Sequence, residues 1–234
     1  MVLPLGDDNT GRVLFPAVTI ALIAVNVVVF LIELSQGTRI EGFFQTWAVV
    51  PAEYTARTDL PPTQPFPFWA TIFTSMFMHG GFMHIGGNML YLWVFGDNIE
   101  DNFGHAKFLI FYLICGVVAT FSQIALDPQS PIPTLGASGA IAGVLGAYLI
   151  MFPHNRIRTV TMVFIWTIIE LPALVVLGFW IVIQFFSQFA AITEHTAQSR
   201  GGGVAYMAHI GGFVAGLLLS FLFRRKRKEH HYYE

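Results

Sequence analysis

The chain has 234 residues, of which 55% are hydrophobic and only 11% are charged, with a formal net charge of −2. Because an average soluble domain carries roughly 25% charged residues, this composition excludes an ordinary soluble protein and indicates a membrane protein. The single cysteine, Cys115, excludes an intramolecular disulfide and a cysteine-based metal site.

Six charge-free runs of nineteen residues or more follow one another along the chain, at 13–32, 60–96, 108–126, 128–155, 171–193 and 201–223. About 20 apolar residues span a bilayer as a helix, and the runs lack the alternation of barrel strands. We therefore predict an all-α membrane protein in which six transmembrane helices form a compact bundle. The predicted spans are 13–34, 81–98, 108–126, 138–152, 172–189 and 204–223, within one domain over residues 1–234.

The first run, VLFPAVTIALIAVNVVVFLI, lacks a small-residue cleavage site, so we expect a retained helix rather than a removed signal peptide. Residues 36–78 then carry aromatic side chains among prolines, which predicts a structural loop lying partly in the outer membrane interface. These aromatic residues are Phe43, Phe44, Trp47, Phe66, Phe68 and Trp69.

The fourth span, from Ser138 to Phe152, is short. About fifteen residues rise roughly 22 Å, which is less than the roughly 30 Å of the hydrocarbon core. If this helix ends at cytoplasmic Arg156 and Arg158, then Ser138 lies submerged below the outer surface. A polar site there is tolerated only if it is buried in protein or lines a wet cavity, which favours a functional role.

Basic residues predict the orientation of the chain. With six crossings and a cytoplasmic N-terminus, nine lysines and arginines lie inside and three, Arg39, Arg57 and Arg200, lie outside. This distribution fits the positive-inside rule, so we place both termini in the cytoplasm. We interpret the RRKRK run of the tail, 224–234, as an anchor on anionic lipid rather than a nucleic-acid site.

Four polar residues within the predicted spans are candidates for chemistry: Ser138, His209, His84 and Asn88. Ser138 and His209 lie at similar depth and are flanked by small residues, namely Gly136, Gly139 and Gly143 on one side and Gly212 and Gly216 on the other. Close packing of these two helices would bring Ser138 Oγ within hydrogen-bond reach of His209. An imidazole so placed can take the hydroxyl proton, which would make a Ser-His dyad.

The stretch HGGFMHIGGNML supplies hydrogen-bond donors at the outer end of the second span. His84 and Asn88 are four residues apart and share a helix face, with His79 nearby. Together with the backbone N–H of Ser138, at the positive end of its helix, they could surround one developing negative charge.

Each of these residues also has a structural interpretation. Ser138 could be a helix N-cap, His209 a packed structural residue, Asn88 a link between helices and His79 a loop anchor. The remaining histidines, His105, His154, His195, His230 and His231, are expected on the solvated surface. Glu100 and Asp101 are expected to be structural at the cytoplasmic end, with Asn26 packed inside the first span.

These motifs resemble those of the rhomboid family of intramembrane serine proteases. GASGA around Ser138 resembles the nucleophile motif, AHIGGFVAG around His209 the histidine helix, and MHIGGN the H-x-x-x-N pattern of the second span. The resemblance covers all six predicted spans. It implies that Ser138 is the nucleophile, that His209 is the general base and acid, and that His84, Asn88 and the Ser138 N–H form the oxyanion hole. Supporting residues are then His79, Gly136, Gly139 and Gly212, and Glu100 resembles a structural glutamate of the family.

The resemblance further implies acyl transfer on membrane-anchored protein substrates in the lipid bilayer, with no cofactor, metal or nucleic acid, and it leaves the oligomeric state open. The six-helix form resembles prokaryotic members, so we expect a prokaryotic inner membrane. Some members carry a tyrosine that packs on the catalytic histidine where this chain has Ala142, so another group must hold His209. The fifth span and the loop Gly201–Gly203 are the expected gate. Residues 157–170 are β-branched and apolar and predict an irregular segment before that span.

Two alternatives stay open. The first is a catalytically silent relative that binds membrane clients, although both Ser138 and His209 are present. The second is a transporter or metal carrier that uses His79, His84 and His209, although no acidic residue lies in these spans to couple a cation.

Overall fold

The computed structural model describes residues 2–59, 61–64, 66–162, 166–193 and 204–225. Nine α-helices lie in this part of the chain: α1 Ala17–Ser35, α2 Ile40–Trp47, α3 Pro51–Ala56, α4 Thr71–Thr74, α5 Phe82–Phe103, α6 His105–Leu126, α7 Ser138–Met151, α8 Ala173–Thr193 and α9 Tyr206–Phe223. Three strands accompany them: β1 Val2–Gly6, β2 Arg156–Met162 and β3 Trp166–Pro172. The long helices lie where the six spans were predicted, and their bounds differ from the predicted ones by a few residues.

Four helices in the described part of the chain are long and apolar enough to cross a membrane, namely α1, α6, α8 over Ala173–Ala191, and α9. Helix α7 is apolar but has only 14 residues, as its short predicted span requires. Helix α5 carries His84, Asn88 and Asp97 among its apolar residues. The protein is therefore a largely helical membrane protein, and the count of six crossings stays a prediction.

Helix α7 lies at the centre of the bundle, where it contacts α5, α6, α8 and α9. Every residue from Gly139 to Tyr148 is buried. Because most of these residues are small, the neighbouring helices approach α7 closely. Cys115 of α6 is fully buried in this core, as predicted for a packing residue.

A small antiparallel sheet in the order β1-β2-β3 corrects the all-α prediction. Leu3 pairs with Val160, and Thr159 pairs with Ile169. Within the segment predicted to be irregular, the described residues instead pair as two antiparallel strands, because β-branched side chains fit the pleated surface of a sheet. Strand β3 leads directly into α8.

Helix α5 continues beyond Asn98, where the sequence analysis ended the second span. The reason is Glu100, which is fully buried and accepts hydrogen bonds from the backbone N–H groups of Val18 (2.8 Å) and Thr19 (2.7 Å). Its carboxylate thereby satisfies donors at the positive end of α1, which confirms a structural role. His105 Nδ1 also lies 2.5 Å from Glu100 Oε1, while the His105 residue itself is exposed, as predicted for the solvated surface.

Asp7 links the N-terminal segment to the helix bundle. Its carboxylate accepts hydrogen bonds from the Tyr148 hydroxyl and from the Asn98 side-chain amide. Burial raises the pKa of Asp7 from 3.8 to about 6; Asp97 also raises this pKa, whereas the Tyr148 hydrogen bond and Arg12 lower it. Protonation of Asp7 is therefore easier in the folded protein than in the unfolded chain.

This shift predicts that the free energy of unfolding falls as the pH rises from about 4 to about 6, because the folded state binds more protons than the unfolded state there. Above that range the buried carboxylate costs roughly 2 kcal/mol. Asp7→Asn should flatten the pH dependence and be at least as stable as wild type at neutral pH. Thermal melts in detergent across this pH range would measure both effects. Asp8→Asn is the control, because Asp8 is exposed; an unchanged slope in Asp7→Asn would contradict the prediction.

Candidate active site

Ser138 is the first residue of α7 and is partly buried. The N-cap of α7 is Ala137, and no side chain caps this helix, so the N-cap interpretation of Ser138 is wrong. The backbone just before it is held by a hydrogen bond from the Gly136 N–H to the Ser75 carbonyl at 2.9 Å. Gly136 has φ +128°, a conformation that favours glycine.

The long loop between α1 and α5 supports the Ser138 segment. Val49 and Thr134 form an antiparallel bridge with hydrogen bonds of 2.7 and 3.3 Å. The loop is folded into α2, α3 and α4 and includes an exposed aromatic side chain at Trp69. It thus positions the residues that precede Ser138, in agreement with the predicted structural role.

The His84 ring and the Ser138 hydroxyl both lie close to Gly136. A Cβ atom built on this glycine would lie 2.9 Å from His84 Nε2 and 3.5 Å from Ser138 Oγ, so a side chain here would displace the His84 ring. The Gly80 N–H donates to His84 Nδ1 at 3.4 Å, so Nδ1 is the acceptor of this ring and Nε2 carries its proton. The His84 Nε2–H donor and the serine hydroxyl therefore approach the same residue.

Asn88 lies one helical turn after His84 on α5 and is buried. Its Nδ2 group has no hydrogen-bond partner within the described part of the chain. Leaving a buried donor unpaired costs roughly 1–3 kcal/mol, so such groups need an explanation. A free donor on the helix that carries His84 supports the predicted oxyanion-stabilising set.

His79 lies behind His84, and the two rings pack edge to face with centroids 5.1 Å apart. The backbone N–H of His79 donates to both carboxylate oxygens of Glu33, at 3.0 and 3.2 Å. Glu33 is buried near the end of α1, and the sequence analysis did not single it out. The only feature of the sequence that could have pointed to Glu33 was its position directly after the first charge-free run. His79 therefore anchors the loop and also supports the His84 ring.

Glycines form the contact between α7 and α9. A Cβ atom on Gly212 would lie 2.0 Å from the Gly139 carbonyl oxygen, and one on Gly216 would lie 1.9 Å from that of Gly143. Only helices without these side chains can pack this closely. The predicted small-residue contact between the fourth and sixth spans is confirmed.

This contact places Ser138 and His209 on adjoining helices. Ser138 directly precedes Gly139 on α7, and His209 lies one turn before Gly212 on α9. Among the hydrogen bonds of the described residues, none joins Ser138 Oγ to His209. Catalytic hydrogen bonds often tighten only when substrate binds, and the dyad stays a prediction.

His209 is buried, and its Nδ1 lies 2.7 Å from Oε1 of Gln184 on α8. The Trp180 ring packs against the imidazole with centroids 5.8 Å apart. Because Ala142 has no group that could hold His209, another group was expected to do so, and that polar group is Gln184. The sequence analysis missed it, although a glutamine within a charge-free run is a signal of the kind that identified Asn88.

Several predicted features lie outside the described residues: the loop Gly201–Gly203, His195, Arg200 and residues 226–234, with His230 and His231, of the basic tail. In the ranges that the structure does describe, no group of three or more His, Cys, Asp or Glu side chains could hold a metal ion. The metal-carrier alternative therefore gains no support there.

A family model described as "Rhomboid domain" matches residues 67–226. Rhomboid protein 1, mitochondrial, from Saccharomyces cerevisiae is 29% identical over 202 residues, which cover 85% of this chain and 51% of the relative. The putative rhomboid protease YdcA from Bacillus subtilis is 29% identical over 165 residues, 70% of this chain and 71% of the relative. Rhomboid protease GluP from the same organism is 38% identical over 88 residues, 38% of this chain and 17% of the relative. The matched part of this chain thus spans about half the length of the yeast relative.

Proposed function

The chain belongs to the rhomboid family, and on that premise we propose that it is an intramembrane serine endopeptidase that cleaves membrane proteins in or near their transmembrane segments. Relatives named as proteases support this proposal. The observation that carries it is that the Ser138 hydroxyl and the His84 Nε2–H both approach Gly136, so that a nucleophile and a hydrogen-bond donor lie close together. A scissile carbonyl bound beside them would offer its carbon to the nucleophile and its oxygen to the donor.

The proposed reaction is acyl transfer. Ser138 Oγ attacks the scissile carbonyl carbon while its proton passes to His209 Nε2. The developing oxyanion accepts hydrogen bonds from His84 Nε2, Asn88 Nδ2 and the Ser138 backbone N–H at the positive end of α7. Nε2–H of His209 then protonates the leaving amine as the C–N bond breaks, and water hydrolyses the ester.

The remaining predicted features form part of the proposal. We place one domain over residues 1–234 with six crossings, both termini in the cytoplasm and Ser138 below the outer surface, where water reaches it. Helix α8 is the proposed gate, because many of its apolar side chains are exposed, including Leu174, Phe179 and Phe186. The yeast relative is named as mitochondrial, so the predicted prokaryotic inner membrane is not supported, and the proposal is limited to a cellular membrane.

The test is cleavage of tagged single-span reporter proteins in liposomes by the full chain, combined with fluorophosphonate labelling. We expect reporter cleavage and one covalent adduct that mass spectrometry locates on Ser138. A folded protein that cuts none of several reporters, or that is labelled elsewhere, would contradict the proposal and favour the client-binding alternative.

Gly136→Ala is predicted to lower kcat by roughly 10²- to 10³-fold, as expected when an oxyanion donor is displaced. The new Cβ would lie 2.9 Å from His84 Nε2 and must push this donor away. The measurement is reporter cleavage in liposomes.

The control for Gly136→Ala is Gly37→Ala. Gly37 also has a positive φ, +55°, but a Cβ there meets nothing within 4 Å. It therefore places a side chain at a positive φ away from the His84 ring and should retain kcat. Equal losses in both variants would show that strain alone acts.

A further inference from the structure

We infer that Gln184 is a positioning residue that sets the tautomer of His209, so that Nε2 is free to take the proton of Ser138. This inference rests on the proposed function and deepens it. It gives the Ser-His pair a third member in the place that a carboxylate occupies in Ser-His-Asp triads.

The orientation of the Gln184 amide follows from its two contacts. Its Nε2 end donates to the Trp180 carbonyl, one helical turn earlier, at 3.4 Å. A carbonyl oxygen can only accept, so the NH₂ end of the amide faces Trp180 and Oε1 faces the other way, 2.7 Å from His209 Nδ1. Because Oε1 can only accept, Nδ1 of His209 carries the proton in this contact.

The tautomer decides whether His209 can act as a base. A neutral imidazole has one N–H, so a proton held on Nδ1 leaves a lone pair on Nε2. The opposite tautomer could not accept the hydroxyl proton of Ser138 at Nε2. In a Ser-His-Asp enzyme, loss of the correct histidine tautomer lowers kcat by roughly 10⁴-fold. The tautomer of His209 should therefore have a large effect on kcat.

A neutral acceptor suits this position in the membrane. Gln184 is 7% exposed, and residues 171–193 contain no acidic side chain. An ionised carboxylate buried there would be costly without a partner. The amide fixes the imidazole at a lower desolvation cost, and the Trp180 and Tyr206 rings, with centroids 5.8 and 6.5 Å from that of His209, limit its rotation.

The direct test is ¹⁵N NMR of the full chain labelled at its histidine side chains, with His209 assigned by the signals lost in His209→Ala. At a pH where the imidazole is neutral, we expect a protonated Nδ1 and an unprotonated Nε2. A protonated Nε2 would overturn the inference. This experiment reads the tautomer in wild type without turnover, so it stands even if the chain cuts no reporter.

The kinetic test is Gln184→Met, which keeps the length of the side chain but offers only a weak sulfur acceptor. We expect kcat to fall by roughly 10²-fold while KM changes less than about twofold, because the amide acts on the base and not on substrate binding. Gln184→Glu keeps an acceptor oxygen and should recover most of kcat.

The matched control is Gln188→Met, one turn further along α8, which should retain wild-type kcat. Equal kcat in Gln184→Met and Gln188→Met would overturn the inference. If wild type is not labelled at Ser138, the proposed function fails instead. If Gln184→Met does not fold in a thermal melt, the NMR result in wild type decides.

Discussion

Ser138→Ala is expected to abolish reporter cleavage while the protein stays folded. Ser138 Oγ is the proposed nucleophile, so its removal should lower kcat by roughly 10⁴-fold or more, to the background of the assay. Stability should change by only about 0.5 kcal/mol, because this side chain does not cap α7 and alanine favours a helix. Cleavage in liposomes and a thermal melt in detergent measure the two effects.

Ser122→Ala is the matched control for this loss. Ser122 lies on α6, and its hydroxyl donates to the Val118 carbonyl of its own helix at 2.8 Å. Its removal should leave kcat unchanged. Reporter cleavage by folded Ser138→Ala at the rate of Ser122→Ala would refute the assignment of the nucleophile.

Gly216→Ala is expected to cause the largest loss of stability. The new Cβ would lie 1.9 Å from the carbonyl oxygen of Gly143 and 2.5 Å from its Cα. These are backbone atoms of α7, so only separation of α7 from α9 can relieve the clash. Overpacking costs typically about 1–3 kcal/mol, and rigid backbone contacts place this site at or above the upper end. A thermal melt in detergent should show a clearly lower Tm.

Activity should fall with stability in this variant, because α7 carries Ser138 and α9 carries His209. The control is Gly178→Ala on α8, where a Cβ meets nothing within 4 Å. Because alanine is the better helix former, by about 1 kcal/mol, this control should be neutral or slightly stabilising. A Tm for Gly216→Ala as high as that of Gly178→Ala would contradict the close packing of α7 and α9.

The position of the sheet shows why sequence reasoning failed at the end of the bundle that carries β1. Leu3 pairs with Val160, far along the chain, and pairing over such a distance leaves no local period to detect. The same holds for Glu100, whose partners at the start of α1 lie more than 80 residues earlier. From the sequence, the charged segment around Glu100 is predicted as a turn. Only the structure shows the backbone N–H groups of α1 that its carboxylate accepts hydrogen bonds from.

The sequence by itself determined that this is a helical membrane protein with a short apolar helix beginning at Ser138. It also predicted that glycine faces would join this helix to the one that carries His209. These features are local, because hydrophobicity and residue size act along a single helix. Only the tertiary structure decided which groups meet across helices: His84 and Ser138 beside Gly136, and Gln184 on His209. Such contacts depend on the rotation of each helix about its axis, which packing sets and the hydrophobic pattern leaves open.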